Sequence, residues 1–365
     1  MKVCVYAIAK NEEKFVDRWV SSMMEADCIC VLDTGSEDKT VEKLADWGVT
    51  VRQEIISPWR FDAARNHSLA LVPADTDICV CTGLDEYFRP GWREALERAW
   101  TAGTEQMRYT YIWNWDAKGQ PGTTFLQEKI HAPGVFRWHH PVHEVLRRTD
   151  GQRTWKTAVC PEIVLEHYPD PKKSRAEYLP LLELSVQEAP DDDRGMHYLG
   201  REYMFHGAWE KAIATLKRHL TLPSAQWADE RCASMRYIAR CYRQLGKAAE
   251  AERWYLRAAA EAPHLREPWV ELASLCYQQG DWEGTAFAAG RALVIHERTL
   301  TYISEGEAWG SLPYDLRALG LYYTSRKAEA LPFARKAAEL SPSPRLLENV
   351  RLIENEVGES TNTQP

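Results

Sequence analysis

The chain lacks the marks of several common protein classes. Its nine cysteines include no Cys-x-x-Cys pair, which argues against a structural zinc site and favours reduced, buried thiols. No run of about 18 apolar residues occurs, so no membrane span is expected. The N-terminus has no long apolar segment of the kind that a signal peptide requires. These absences predict a cytoplasmic protein without a membrane partner.

An excess of basic residues is also missing. The net charge is −8, which favours a peptide or protein over a nucleic acid as a macromolecular partner. Two local basic runs, Arg147-Arg148 and 171–175, keep DNA open as an alternative. No glycine follows the first predicted strand, at Ala9-Lys10-Asn11-Glu12-Glu13. This disfavours a nucleotidyltransferase, because such enzymes carry a glycine-rich phosphate loop there.

Short apolar runs alternate with helical patterns in the first third of the chain. Phe15, Trp19 and Met23 recur every four residues, which indicates a helix between the first two strands. Alternation of this kind predicts a parallel sheet with helices on both faces. The predicted strands are Val3–Ile8, Cys28–Leu32, Val49–Ile55 and Ile78–Thr82, and the predicted helices are Glu13–Met24, Lys39–Trp47 and Phe61–Leu71.

Acidic residues follow two of these strands. Asp33 precedes Thr-Gly-Ser, and a carboxylate there can accept hydrogen bonds from a ribose or a uracil N–H, while Gly35 permits a sharp turn. Asp85 and Glu86 follow the fourth strand, where a carboxylate can bind a divalent cation. Ligands bind at the carboxyl ends of parallel strands, so Asp33 and Asp85 are expected at one edge of the sheet.

Two further segments carry candidate functional groups. Arg60, Arg65 and Asn66 lie at a predicted helix start, where they could contact phosphates. His143 and Glu144 end a histidine-rich stretch that begins at His131, and imidazole is a common metal ligand. Each of the four motifs also has a structural interpretation. After Asp33 it is an ordinary turn with a helix cap, and at Asp85 and Glu86 it is a solvated acidic turn. For the other two segments it is an amphipathic helix with surface arginines and a set of structural histidines.

The second half of the chain repeats. A similar pattern of aromatic or small residues, glycine and alanine begins at three places, Leu199-Gly200, Ile238-Ala239 and Leu272-Ala273. A weaker copy begins near Ala318. The pattern resembles that of tetratricopeptide (TPR) repeats, in which each unit is a helical hairpin with small residues at the close contacts. We therefore expect an all-α, TPR-like domain.

Taken as a set, the N-terminal motifs resemble those of family 2 glycosyltransferases. The resemblance covers roughly Lys2–His167. It is carried by Ala9–Glu13, Asp33–Thr40, Arg60–Asn66, Leu84–Glu86 and Pro141–Glu144. It implies a GT-A fold, which is a Rossmann-like α/β domain with a mostly parallel sheet. The predicted organisation is a GT-A domain over 1–170, a TPR-like domain over 171–355 and a flexible tail over 356–365.

The resemblance also implies a nucleoside-diphosphate sugar donor, UDP-linked in many members, together with Mn²⁺ or Mg²⁺. It assigns Asp85 and His143 as metal ligands. Glu144, with Asp116 behind it, is the candidate general base of an inverting transfer. Gly83 departs from the family pattern, because it replaces one carboxylate of the Asp-x-Asp metal motif. The implied donor-binding residues are Ala9, Asn11, Glu12, Asp33, Gly35, Arg60, Arg65, Asn66 and Asp85.

Two functions from different classes are compatible with this organisation. The first is an active glycosyltransferase whose acceptor is a macromolecule, either a peptide or protein or a modified DNA base, since helical repeats form extended binding surfaces. The second is a non-catalytic interaction scaffold built on a transferase domain that has lost activity, as the glycine at position 83 suggests.

Overall fold

The computed structural model describes residues 1–115, 119–171 and 178–362, which form two compact units. The first unit comprises Met1–Glu188 and the short segment Leu300–Tyr302. The second comprises Ala189–Thr299 and Ile303–Pro365. Within the described ranges, every helix is too short or too polar to cross a bilayer.

A mixed, mostly parallel sheet of eight strands forms the centre of the first unit. The described strands are β1 (Val3–Ala9), β2 (Cys28–Asp33), β3 (Thr50–Gln53), β4 (Ile78–Thr82), β5 (Glu86–Phe88), β6 (Gln106–Ile112), β7 (Thr124–His131), β8 (Phe136–His139), β9 (Val145–Arg148) and β10 (Thr157–His167). The sheet order is β3-β2-β1-β4-β7-β6-β10-β5, and β8 pairs with β9 in a separate hairpin. The first four strands are mutually parallel, as predicted, whereas β7 runs antiparallel to both of its neighbours.

Both faces of the sheet are covered. The helices of this unit are α1 (Val16–Met23), α2 (Thr40–Asp46), α3 (Phe61–Leu69), α4 (Trp92–Ala99) and α5 (Tyr178–Glu188). One face of β1 packs Val3 and Val5 in a cluster with Trp19 of α1 and Trp92 of α4. Tyr6 joins the hairpin β8–β9 in a second cluster. Burial on both sides explains the continuous apolar run of β1.

The strand register brings three strand ends to one edge of the sheet. Ala9, the last residue of β1, lies beside Asp33, the last residue of β2. Thr82, which ends β4, lies beside Ala7 on the other side of β1. The segments after β1, β2 and β4 therefore leave the sheet at the same edge, so Asp33 and Asp85 share it as expected.

The second unit is a TPR-like array of helical hairpins. Its helices are α6 (Asp193–Phe205), α7 (Trp209–His219), α8 (Ala228–Gln244), α9 (Ala248–Glu261), α10 (Glu267–Gln279), α11 (Trp282–Leu293), α12 (Leu312–Tyr323), α13 (Lys327–Leu340) and α14 (Pro344–Asn362), with a 3₁₀ turn at Gly306–Trp309. Ala251 and Ala258 are fully buried at helix contacts. Gly200 is needed for the same reason, because a Cβ there would lie 2.5 Å from Leu216 Cγ.

The boundary between the units differs from the predicted one. The sequence placed it near residue 170, but α5 belongs to the first unit, and the division falls after Glu188. Arg60 explains this, because its guanidinium pairs with Glu188 at 2.7 Å. Tyr178 at the other end of α5 packs edge-on against Phe61. The partners of α5 are more than 100 residues away in sequence, so composition did not reveal them.

The C-terminal segment also differs. A flexible tail was predicted from residue 356, whereas α14 continues to Asn362. Glu356 accepts a hydrogen bond from Tyr322 Oη at 2.8 Å and pairs with Lys327. Ile353 is 3% exposed one turn earlier. These contacts hold α14 against the preceding hairpin as far as Glu356.

All nine cysteines lie within the described residues and are free thiols. Eight are buried and Cys28 is half-buried. Burial raises the pKa of Cys79 to about 12, so this thiol is protonated and unreactive at neutral pH. The predicted burial is confirmed for eight of the cysteines, and their reduced state stays a prediction.

Candidate functional site

The loops that follow β1 and β2 are joined by hydrogen bonds. Ala9 O accepts from the backbone N–H of Thr34 at 2.8 Å. The backbone N–H of Asn11 donates to Ser36 Oγ, and its side-chain oxygen accepts from Glu37 N, both at 2.8 Å. Asn11 adopts the left-handed φ of 56° that this geometry requires. Two of the predicted motifs therefore form one interlocked surface at the sheet edge.

Glu12 and its neighbour extend this interlocking. The backbone N–H of Glu12 donates to Thr40 Oγ1 at 2.7 Å, and the residue is 6% exposed. Glu13 N donates to Asp38 Oδ2 at 3.1 Å. Asp38 and Thr40 open helix α2, so the first loop is fastened to the start of that helix. The geometry makes Glu12 a structural part of the edge.

Asp33 is fully buried and serves the turn that follows it. Its Oδ1 accepts from the backbone N–H groups of Gly35 and Ser36 at 3.1 and 3.0 Å, and Ser36 Oγ donates to Oδ2. Gly35 has a φ of 105°, a conformation that a residue with a Cβ rarely adopts. The carboxylate therefore has a structural task in this turn.

The turn after β4 is held in place by a buried carboxylate, that of Glu86. Glu86 is 4% exposed, and it accepts from Gly83 N at 2.7 Å and Tyr111 Oη at 2.7 Å. Lys129 Nζ on β7 lies 3.0 Å from its Oε1. Burial alone would raise the pKa of Glu86, but Lys129, His167 and these hydrogen bonds lower it to about 2. The turn that carries Asp85 thus rests on a permanently ionised group.

Asp85 lies beside a histidine that the sequence did not single out. Its Oδ2 is 3.4 Å from Nε2 of His167, the last residue of β10. Burial would lower the pKa of His167, but the contact with Asp85 raises it above its usual value. A Cβ at Gly83 would lie 2.6 Å from Asp85 Oδ1, so the glycine leaves room for Asp85 in this position.

Aromatic rings surround this pair. Trp113 is 45% exposed, and its ring centroid lies 4.6 Å from that of His167. Trp115 stacks on Tyr168 at 5.4 Å. Exposed aromatic faces beside a polar pair are typical of sugar- and base-binding surfaces, where the ring supplies apolar contact at low entropic cost.

The predicted phosphate-binding residues on α3 have internal partners instead. Arg60 forms two hydrogen bonds with Asp62 at 2.9 Å and also pairs with Glu188. Asn66 donates to the carbonyl of Trp138 and accepts from its N–H, both at 2.9 Å. This pairing ties α3 to β8. The structure thus assigns both side chains to packing of the first unit.

Arg65 and Glu144 form a largely buried ion pair. Arg65 Nε donates to Glu144 Oε1, and Arg65 Nη1 lies 3.1 Å from Cys81 Sγ. Phe61 N donates to the carbonyl of Pro141 at 2.9 Å, which brings the predicted Pro141–Glu144 motif against α3. Glu144 is already engaged by Arg65, so the geometry favours a structural role for it over that of a base.

The remaining predicted residues have separate locations. His143 has a φ of 53°, and its ring contacts Tyr178 edge-on with centroids 5.8 Å apart. The predicted metal pair was Asp85 with His143, whereas the imidazole that the structure places beside Asp85 is that of His167. His131 is a core residue, fully buried with its Nε2 2.8 Å from Tyr6 Oη. Asp116, the second candidate base, lies outside the described residues.

No protein-family model matches the sequence, and no curated protein matches it. Solved structures resemble part of the chain. Cut9 in its complex with Hcn1 aligns over 50% of this chain and 33% of its own, at 12% identity and a TM-score of 0.39. MamA aligns over 47% and 95%, at 17% identity and a TM-score of 0.37. YrrB, a TPR protein with an unusual peptide-binding site, aligns over 48% and 82%, at 12% identity and a TM-score of 0.35.

The aligned region thus spans only a third of the Cut9 chain. Likeness at this level carries no information about activity. Any function must therefore be argued from the residues at the sheet edge and from the repeats themselves.

Proposed function

We propose that the chain is a glycosyltransferase that moves a sugar from a nucleoside-diphosphate donor, UDP-linked by preference, to a macromolecular acceptor. The observation that carries the proposal is the pair Asp85–His167 at the carboxyl edge of the parallel strands. Ligands of open α/β sheets bind at this edge. A GT-A-type domain is the finer form of the proposal, and it is supported by the motif resemblance and the strand order.

The donor set of this pair fits a divalent cation. One carboxylate oxygen and one imidazole nitrogen lie 3.4 Å apart. When two ligand atoms bind one ion at about 2.1 Å with a right angle between the two bonds, they lie roughly 3 Å apart. The Asp85 oxygen and the His167 nitrogen therefore need only a small decrease in their separation to bind one ion. Asp85 is 22% exposed, which leaves one side of the pair open to a ligand. Mn²⁺ or Mg²⁺ held there would neutralise charge on a leaving diphosphate.

The surrounding residues position this pair. Glu86 fixes the turn through Gly83 N, and His167 Nδ1 lies 2.9 Å from the carbonyl of Trp113. A ligand histidine whose second ring nitrogen is hydrogen-bonded keeps one tautomer and one orientation, which favours metal binding at the other nitrogen. The exposed face of Trp113 is the proposed surface for the sugar or the base of the donor.

Glu144 and Asp116 are the two candidate proton acceptors of the transfer. Glu144 is occupied by Arg65, whereas an inverting transfer needs a carboxylate that can take a proton from the acceptor. Asp33, Asn11 and Glu12 shape the rigid edge, and the proposal gives them no direct role in catalysis.

A screen of UDP-, GDP- and dTDP-sugars for Mn²⁺-stimulated hydrolysis tests the proposal. We expect the wild-type chain to hydrolyse one donor. The Asp85→Asn and His167→Gln variants should hydrolyse it at least about a hundredfold more slowly, because each lacks one proposed ligand of the metal ion. Asp46→Asn, an exposed carboxylate on α2, is the matched control and should retain full activity. Hydrolysis that is the same in all four proteins would refute the site.

A second candidate function is an interaction scaffold. It is favoured by the internal partners of Asp33, Arg60 and Asn66, which leave few of the predicted donor contacts available. In this case the helical repeats bind a peptide or protein and the sheet domain is structural. A thermal-shift assay with UDP and Mn²⁺ separates the two candidates, because a scaffold should show no shift with any nucleotide.

A further inference from the structure

A cluster of buried polar side chains lies between α6, α7 and α8 of the second unit. His197 on α6 and His219 at the end of α7 have no exposed surface. Ser234 on α8 is also fully buried, and Glu230, one turn earlier on the same helix, is 5% exposed. TPR-like repeats pack mainly apolar and small residues between their helices, so four polar groups facing one another here require an explanation.

Ser234 orients both imidazole rings. Its Oγ lies 2.7 Å from His197 Nδ1 and 3.0 Å from His219 Nδ1. A hydroxyl oxygen can accept hydrogen bonds from two N–H groups, so both rings can carry their proton on Nδ1. The two ring centroids lie 5.5 Å apart. In this arrangement each ring has an unprotonated Nε2.

Both Nε2 atoms are buried without a hydrogen-bond partner among the described residues. His219 Nε2 lies 3.4 Å from Glu230 Oε1, but the two atoms are not aligned as a hydrogen bond. Buried polar atoms are nearly always paired in folded proteins. Two unpaired nitrogen lone pairs beside a carboxylate are the donor set of a metal site.

We propose that His197, His219 and Glu230 bind a divalent transition-metal ion, with zinc as the best match. Their ligand atoms lie within 4.8 Å of one another. Tetrahedral coordination with bonds of about 2.1 Å needs a spacing of roughly 3.4 Å, which the pair His219–Glu230 already has. Ser234 is then the group that receives the second N–H of each ligand histidine, as in known zinc sites.

The chemistry of the ligands separates this site from the one at the sheet edge. Two imidazoles and one carboxylate favour zinc and its neighbours over Mg²⁺ or Ca²⁺, which prefer oxygen ligands. A bound ion would fasten three helices from two successive hairpins. Its role is therefore structural, in the first repeats of the array.

Cobalt provides a direct test, because Co²⁺ in a four-coordinate site absorbs visible light. The full-length chain with Asp85→Asn is used so that the sheet-edge site does not contribute. Metal is first removed with a chelator. Co²⁺ is then added in two separate experiments, one during refolding and one in native buffer, because the cluster is buried in the folded chain. We expect an absorption band that saturates at one equivalent and is abolished by one equivalent of Zn²⁺. We also expect Zn²⁺ to raise the Tm by at least about 5 °C.

Matched variants locate the ion. Glu230→Gln and His219→Gln should weaken Zn²⁺ binding by at least about a hundredfold, and Ser234→Ala by about 10- to 100-fold. His206→Gln changes an exposed histidine just after α6 and should leave binding unchanged. Should a ligand variant fail to fold, the cobalt spectrum and zinc stoichiometry of the parent chain still decide the question. No cobalt band and no zinc-dependent Tm change in the parent chain would overturn the proposal.

Discussion

Lys129 Nζ lies 3.0 Å from Glu86 Oε1, beneath the turn that carries Asp85. Their side chains are 16% and 5% exposed, so the pair is largely removed from water. Gly83 N and Tyr111 Oη donate to the same carboxylate. The pair joins β7 to the end of β4 and thereby fixes the position of Asp85.

Breaking this pair should destabilise the first unit. Glu86→Gln leaves the ammonium of Lys129 buried without its counter-charge, and we expect a loss of about 3 kcal/mol in the free energy of unfolding. The double variant Glu86→Gln with Lys129→Met should recover part of that loss, because it removes both charges. Urea denaturation of the wild type, of Glu86→Gln, of Lys129→Met and of the double variant measures the coupling. Additive losses would show that the two groups do not interact.

Asn66 should prove structural rather than donor-binding. Asn66→Ala leaves the N–H and C=O of Trp138 without partners, and Trp138 is 4% exposed. We expect a loss of about 1–3 kcal/mol in the free energy of unfolding, with little change in the KM for the donor. His67→Ala on the same helix alters an exposed side chain and should cost less than about 1 kcal/mol. A large rise in the KM for the donor without loss of stability would support the predicted role of Asn66 in phosphate binding.

Acid should weaken the helical unit through Glu271. Burial would raise the pKa of this carboxyl, but Arg236 and Arg240 lower it to about 2, from 4.5 as the ordinary value. Because the folded-state pKa is the lower one, the stabilisation is complete above about pH 4.5 and is lost as the pH falls towards 2.

The matched variant is Glu271→Gln. At pH 7 it should be less stable than the wild type by as much as about 3 kcal/mol, and the difference should shrink as the pH falls from 4.5 towards 2. Urea denaturation between pH 2 and 7 measures it. A constant difference over that range would mean that Glu271 titrates alike in the folded and unfolded chain.

The parts of the fold that follow from local pattern were predicted from the sequence. The four parallel strands and the helices between them repeat with clear periodicity, and strand β4 was placed at its observed bounds, Ile78–Thr82. The helical repeats were recognised from residues such as Ala251, which close packing requires to be small. Both predictions depended on neighbours that are near in sequence.

His167 was missed because its location depends on the register of β10. That strand pairs with β6, but the register shifts between Cys160 and Val164, so alternation of side chains cannot be followed through it. The nearest signal was the aromatic segment that ends at His167, with Trp113 and Trp115.

The internal roles of Arg60 and Glu144 were also beyond the sequence. Arg60 pairs with Glu188, and Glu144 with Arg65, across separations of 128 and 79 residues. A motif identifies residue types, but only the fold reveals which of them already have partners. This is why several of the donor contacts suggested by the family resemblance have internal partners in the structure.

Anomalous diffraction from crystals soaked with UDP and Mn²⁺ tests the proposed donor site most directly. We expect a manganese peak within about 2.3 Å of Asp85 Oδ2 and His167 Nε2, with diphosphate oxygens completing its coordination. The same soak of Asp85→Asn crystals should show no peak there. A wild-type map with manganese bound only elsewhere, or with neither manganese nor nucleotide at this edge of the sheet, would contradict the proposed function.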